Sequence, residues 1–325
     1  MSGTSPTWRA TATIPPIADS RDILLAMRFA VLASPDSWYF RDLARAAGPE
    51  HELLCLPFSE IQSQVGRDGQ VRVTSVGCEL TDVDAVLVRT MPPGSLEQVV
   101  FRMDTLAQLE AAGVVVLNPP KAVEVAVDKY LTTARLARAG LRSPRTIACQ
   151  TPDDALLAFE QLGGDVVVKP LFGSEGRGIT RLNDEALALR AFKMLAGLGA
   201  VLYVQEFIPH EGYDCRLLIL GDEIFAMRRH STSDWRTNVS RGAATQRLQP
   251  TDEMIEMARR AATAVGAPLA GVDLLPGHDG QWYVLEVNAV PGWQALARTL
   301  QIDIARRVIE FTVHCVRANS AGRRR

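Results

Sequence analysis

A chain of 325 residues with a formal net charge of −2 has room for two or three domains, and its balance argues against a nucleic-acid binder driven by phosphate neutralisation. No apolar run approaches the roughly 18 to 20 residues a bilayer span needs. The five cysteines, at 55, 78, 149, 215 and 315, are odd in number and widely spaced, which points to reduced thiols and a cytoplasmic protein.

Residues 1–22, beginning "MSGTSPTWRATATIPPIADS", lack the apolar core of a secretory signal and read as a flexible tail. Over 23–120, strands "MRFAVLAS", "ELLCLPF", "DAVLVRT" and "VVVLNPP" alternate with helices "WYFRDLARAAG" and "SLEQVVFRMDTLAQLEAAG". Apolar strands alternating with amphipathic helices indicate a parallel α/β unit. One helix, "AVEVAVDKYLTTARLARAG", follows and is capped by Gly140. The segment 121–210 continues as strand, helix, strand, Gly-rich turn, strand, helix, strand, a smaller α/β unit. From 211 to 319 antiparallel hairpins dominate, with "DCRLLILGDEIFAMRRHS" turning at Gly221-Asp222 and helices expected near 251–265 and 301–317. Residues 320–325 form a basic tail, read as a solvated end.

The chemistry concentrates late in the chain. "AGVDLLPGHDGQWYVLEVNAVPGW", residues 270–293, reads as two apolar strands and a turn, yet each strand carries acid. Folded about residues 279 and 280, Asp273 falls opposite Glu286, and Glu286 shares a face with Asn288. Like charges facing each other destabilise a sheet, and burying them unpaired costs more. A divalent cation held by these oxygens would remove the conflict, and a hard ion such as Mg²⁺ suits them. A one-residue register slip would instead turn an acid out to water, and the hairpin alone leaves both readings open.

"VVVKPLFGSEGRGITRL" places Lys169 at a strand end before glycines 173, 176 and 178. Such a loop lets backbone N–H groups approach phosphate oxygens, although the spacing is not that of a P-loop and an ordinary hairpin turn is the competing reading. The loop offers no apolar anchor, so a lid that closes over its ligand is expected. In "LYVQEFI", Glu206 suits ribose hydroxyls and Gln205 a base edge, unless an edge strand merely exposes both. Arg216, Arg228, Arg229, Arg236 and Arg241 form a local excess of guanidinium suited to phosphates and carboxylates. His210, His230 and His278 lack zinc-ligand spacing, and no nucleophile elbow or Cys–His arrangement is present.

Taken together, "VDKY", "VVVKPLFGSEGRGI", "VQEFI", "DCRLLILG", "RTNVSRGA", "AGVDLL" and "VLEVNAVPG" stand in an order that resembles ATP-grasp enzymes, most closely the RimK-like α-L-glutamate ligases, over about residues 80–315. The resemblance implies an ATP-grasp fold of mixed α/β and α+β character: an N-terminal parallel domain, a small central lid domain and a C-terminal antiparallel domain. It implies that Lys129 and Lys169 hold ATP phosphates, that Ser174, Gly176 and Gly178 close over them, and that Gln205, Glu206 and Ile208 border adenine and ribose. Asp273, Glu286 and Asn288 match the ligands of Mg²⁺, with Mn²⁺ as the alternative ion. Arg216, Arg229 and Asn238 match positions near the transferred phosphate. The implied reaction converts a carboxylate to an acyl phosphate that an amine attacks, with L-glutamate and a small-molecule carboxylate acceptor as substrates. Neither nucleic acid nor membrane is an expected partner, and homo-oligomers are common in the family. "NAVPGW" stands where "NASPG" is common, and "RGA" where "RGG" is usual. These departures put a peptide or ribosomal-protein tail in doubt, and "PPGSLEQVVFRMDTLAQLEAAGVVVLNPP" together with "EVNAVPGW" resembles the branch that glutamylates tetrahydromethanopterin-type one-carbon cofactors. A ligase of peptide tails or amino-group carrier proteins is one alternative, and a non-catalytic ATP-binding regulatory protein is the other.

Overall fold

The computed structural model describes residues 26–173, 176–232 and 234–323. The N-terminal tail, Ser174, and the last two residues of the basic tail lie outside them. The first unit comprises β1 (Arg28–Leu32), α1 (Trp38–Ala47), β2 (Glu52–Leu56), β3 (Ile61–Val65), β4 (Val71–Ser75), β5 (Cys78–Glu79), β6 (Ala85–Val88), α2 (Leu96–Ala112) and β7 (Val115–Leu117). Strands β2-β1-β6-β7 form a parallel sheet in that order. Every residue of β6 is buried, as expected of a parallel strand covered on both faces. Helix α2 begins at a Ser95–Gln98 capping box, and Gly113, at φ 90°, ends it in the left-handed region. The antiparallel meander β3-β4-β5 is an addition to the expected pattern.

Two helices stand where one is expected, α3 (Pro120–Val127) and α4 (Lys129–Arg138). Asp128 is extended, and its side chain accepts from the Leu131 N–H, so the run restarts at an acidic N-cap instead of continuing. Lys129 is thereby placed on the first residue of α4.

The central unit is β8 (Thr146–Cys149), α5 (Pro152–Gln161), β9 (Val166–Lys169), β10 (Thr180–Leu182), α6 (Glu185–Gly197) and β11 (Leu202–Glu206). Its sheet, ordered β10-β9-β11-β8, is antiparallel throughout. Helices α5 and α6 close over a core of its own, with Phe159, Val166, Phe192 and Val204 buried.

The last unit holds β12 (Tyr213–Leu220), β13 (Glu223–His230), β14 (Ala244–Arg247), α7 (Asp252–Val265), β15 (Leu269–Pro276), β16 (Trp282–Asn288), α8 (Gln294–Leu300) and α9 (Ile304–Arg323). Its antiparallel sheet runs β14-β13-β12-β15-β16. Gly221, at φ 57°, makes the tight β12–β13 turn. Alternate residues of β12 enter two cores, Leu217 beside α7 and Leu218 beside α9, and both cores extend into the parallel sheet. Among the described residues no helix is long and apolar enough to cross a membrane, and the five cysteines are free.

Candidate active site

An open cleft lies between the central sheet and the last sheet. Lys169, Gln205, Glu206 and Ile208 line one wall, and Arg229, Asn238, Asp273 and Glu286 line the other. Phe207, Trp235, Leu275 and Leu285 supply apolar surface between them.

On the first wall, Lys169 ends β9, and its Nζ donates to Gln205 Oε1 at 2.6 Å. Gln205 in turn donates to Thr146 Oγ1 at 2.8 Å and Tyr203 OH at 3.1 Å. An amide oxygen cannot neutralise a buried ammonium. Burial therefore presses the Lys169 pKa down to about 8, although Glu286 and Asp273 across the cleft pull the other way. Lys129 Nζ donates to the Gly173 carbonyl at 2.8 Å, and burial lowers its pKa as well. Both lysines and Glu286 line a second, smaller cavity that adjoins the cleft.

On the second wall, β15 and β16 pair in the register that sets Asp273 opposite Glu286, with a bulge directly after Asp273. Asp273 is nevertheless not in conflict with Glu286. Arg216, its neighbour on β12, grips its carboxylate through Nε and through Nη2 at 2.8 Å. Arg229 reaches Asp273 at 2.9 Å and also holds Asp214, at 2.7 and 2.5 Å. Thr237 donates to the same Asp214 carboxylate at 2.6 Å. Burial alone would raise the Asp273 pKa, but Arg216 and Arg229 outweigh it and hold the carboxyl below its usual range. For Asp214 burial wins, and its pKa rises. Glu286, half-buried, has no hydrogen bond or ion pair among the described residues.

Several expectations need correction or detail. The five arginines do not converge. Arg216 and Arg229 meet the acids, whereas Arg236 lines the cleft, with its guanidinium on Asp234 at 2.7 Å. Arg228, one position from Arg229 and so on the other face of β13, stacks at 3.5 Å over the Tyr213 ring. The side chain of Arg241 lies outside the described part. Glu206 lines the cleft, but its carboxylate is paired with Arg145 at 2.6 Å. Asn288 ends β16, where its Oδ1 accepts from the Val290 N–H at 2.8 Å. Gly176, at φ 69°, packs so near that a Cβ would lie 2.6 Å from Asn238 Oδ1, which ties the Gly-rich loop to Asn238. Asp214 and Thr237 escaped the sequence reading. Asp214 lies two residues before Arg216 on one strand, an alternation that could have exposed it.

The RimK-like ATP-grasp domain profile matches residues 126–312. The chain belongs to the RimK-like ATP-grasp family. It is accordingly an ATP-dependent ligase. A Methanosarcina acetivorans protein named tetrahydromethanopterin:alpha-L-glutamate ligase is 32% identical over 315 residues, covering 86% of this chain and 96% of the relative. The Escherichia coli ribosomal protein bS6–L-glutamate ligase is 36% identical over 210 residues, covering 63% of this chain and 70% of the relative. Among solved structures, the ATP-grasp ligase PsnB complexed with a minimal precursor superposes with a TM-score of 0.71 at 23% identity, covering 89% of this chain and 99% of that one. At that identity the likeness speaks for the ATP-grasp fold alone.

Proposed function

We propose that this ligase joins L-glutamate through its amine to the carboxylate of a small cofactor or metabolite, of the tetrahydromethanopterin type or a related one-carbon carrier. The carrying observation is charge left without a direct ion pair in one cleft: two lysines face Glu286, feel its charge across the cavity, and make no ion pair with it or with any other carboxylate among the described residues. Such a site fits an anionic nucleotide together with a metal ion. The near full-length coverage of the methanogen relative favours a small cofactor over the peptide tail suggested by the bacterial one.

No group of three or more His, Cys, Asp or Glu gathers among the described residues, so the donor set rests on Asp273, Glu286 and the Asn288 amide. Glu286, which makes no ion pair, is the donor open to Mg²⁺; Asp273, held by Arg216 and Arg229, and Asn288, which accepts from Val290, would reach the ion through their remaining lone pairs, with nucleotide phosphates and water as further ligands. When bound, the ion would neutralise charge that builds on the phosphates. The chain's own contribution is positioning and electrostatics. Lys129, Lys169 and the loop of Ser174, Gly176 and Gly178 hold the phosphates. Gln205, Glu206 and Ile208 border the base and ribose. Arg229, pinned by two acids, cannot swing away and presents fixed positive charge, while Arg216 and Asn238 flank it. An acceptor carboxylate oxygen attacks the terminal phosphorus of ATP and ADP leaves. The glutamate amine then attacks the acyl carbon, phosphate departs with that oxygen, and a proton is lost from nitrogen.

The test is ADP release by the purified protein with Mg²⁺ and L-glutamate across a panel of acceptor carboxylates. Release that requires both glutamate and a pterin-type acceptor supports the reading. Release with an acidic peptide or carrier protein, and with no small acceptor, overturns the substrate assignment.

A further inference from the structure

The parallel sheet holds a second charge imbalance, where the loop that follows β16 meets it. In the order β2-β1-β6-β7 the chain leaves β1 for β2 on one side, while β6 lies on the other. The carboxyl ends of β1 and β6 therefore bound the point where strand order reverses, and open parallel sheets bind ligands in that crevice. Arg89 follows directly on β6 there, and its backbone N–H donates to the Leu32 carbonyl at 3.0 Å. Its guanidinium lies 4.8 Å from the Tyr39 ring centroid and 4.2 Å from that of Trp293. Nη2 donates to the Pro291 carbonyl at 2.7 Å, three residues beyond Asn288. Nε and Nη1 have no hydrogen-bond partner, and no carboxylate among the described residues pairs with a side chain only 6% exposed.

A buried cation without an anion is costly. Arg229, equally buried, has two acids. We propose that Arg89 anchors an anion subsite for a carboxylate of the amino-acid substrate that does not itself react. This rests on the ligase reading above. The acceptor carboxylate loses its charge on becoming an acyl group, whereas L-glutamate keeps both carboxylates throughout amide formation. A fixed buried cation suits the charge that persists. The cover of this subsite is Tyr39, a half-buried ring packed on the bare backbone of Gly292, where any Cβ would run into its hydroxyl. Binding requires that ring to shift.

The test is calorimetric titration of the full chain, loaded with Mg²⁺ and a non-hydrolysable ATP analogue, with L-glutamate, L-glutamine and L-isoglutamine. Wild-type protein should bind L-glutamate and lose at least tenfold affinity for one of the two amides. Arg89→Gln should weaken L-glutamate at least tenfold while nucleotide affinity stays unchanged, and Arg89→Lys should fall between. Equal wild-type affinity for all three ligands overturns the subsite and needs no variant to fold. No measurable glutamate binding by the wild type, or glutamate binding by either Arg89 variant at wild-type strength, overturns it as well. In each case the nucleotide arm leaves the ligase reading standing. A wild-type protein that binds no Mg²⁺-nucleotide removes that reading and the subsite together.

Discussion

The two walls of the cleft handle buried charge in opposite ways. On the last sheet, Arg229 is clamped between Asp214 and Asp273, and Arg216 completes the chain of pairs. On the central sheet, half-buried Lys169 meets only the Gln205 amide. Where the chain balances its own charge, it builds a rigid scaffold whose members need one another to fold. Where it leaves charge unbalanced, the missing counter-charge has to arrive with a ligand. The same substitution should therefore act on stability at one wall and on binding at the other.

The largest effect is expected on the paired wall. Arg229→Met would leave Asp214 and Asp273 buried without their shared cation, and breaking such a pair costs about 3–5 kcal/mol. Urea unfolding measures it, and a loss below about 1 kcal/mol would mean the clamp is no scaffold. Glu286→Gln probes the exception on this wall, an acid without a partner. Folding stability should move by no more than about 0.5 kcal/mol. Mg²⁺-dependent ADP release should drop roughly 10²–10³-fold, as when an electrostatic contact specific to the transition state is lost. Wild-type turnover at saturating Mg²⁺ would remove Glu286 from the metal site.

Lys169→Met repeats the cation-to-methionine change on the unpaired wall. It removes an ammonium with no acid partner and replaces it with a chain of similar length, at the expense of one donor to Gln205. Stability should change by about 1 kcal/mol or less, while nucleotide affinity should fall about tenfold to a hundredfold, the worth of a hydrogen bond to a charged group. If Lys169→Met destabilises as much as Arg229→Met, the contrast between the walls collapses.

Much of this contrast was legible in the sequence. The expected Asp273–Glu286 pairing is present, but through a bulge: next to the turn the strands pair one residue out of the register read from the sequence, and the shift after Asp273 restores it. Lys169 at a strand end before glycines was equally visible. What alternation could not supply was the neighbour across the sheet. Arg216 faces Asp273 only because β12 lies between β13 and β15, a non-local arrangement that no local pattern encodes. The same gap made the arginines look convergent, when Arg228 and Arg229 point to opposite faces of one strand. The meander β3-β4-β5 escaped because a strand such as β3, exposed at four of its five positions, carries almost no apolar signal. The break at Asp128 escaped for a different reason: an apolar period ran through it, and the N-cap preference of aspartate prevailed.

The smallest effect expected is a pH dependence led by Lys169, with Lys129, whose pKa burial also lowers, contributing to it. The Lys169 pKa is lowered to about 8 in the folded chain from 10.5. Below pH 8 the amine is charged in both states, and the folded protein bears the full burial cost. As pH rises past 8, the folded chain releases this proton before the unfolded chain does. The unfolded state then binds more protons, so stability rises with pH, by at most about 1.4 kcal/mol per unit. Nucleotide affinity should move the opposite way, because the phosphates favour the charged amine, and it should fall by at most about tenfold per unit above pH 8. The window from about pH 8 to 9.5 spans the lowered pKa of Lys169. Paired unfolding and nucleotide titrations over that window should show opposite slopes in the wild type and clearly shallower ones in Lys169→Met, the remainder coming from Lys129. Parallel slopes, or slopes that survive the substitution undiminished, would assign the titration to another group and leave Lys169 charged throughout.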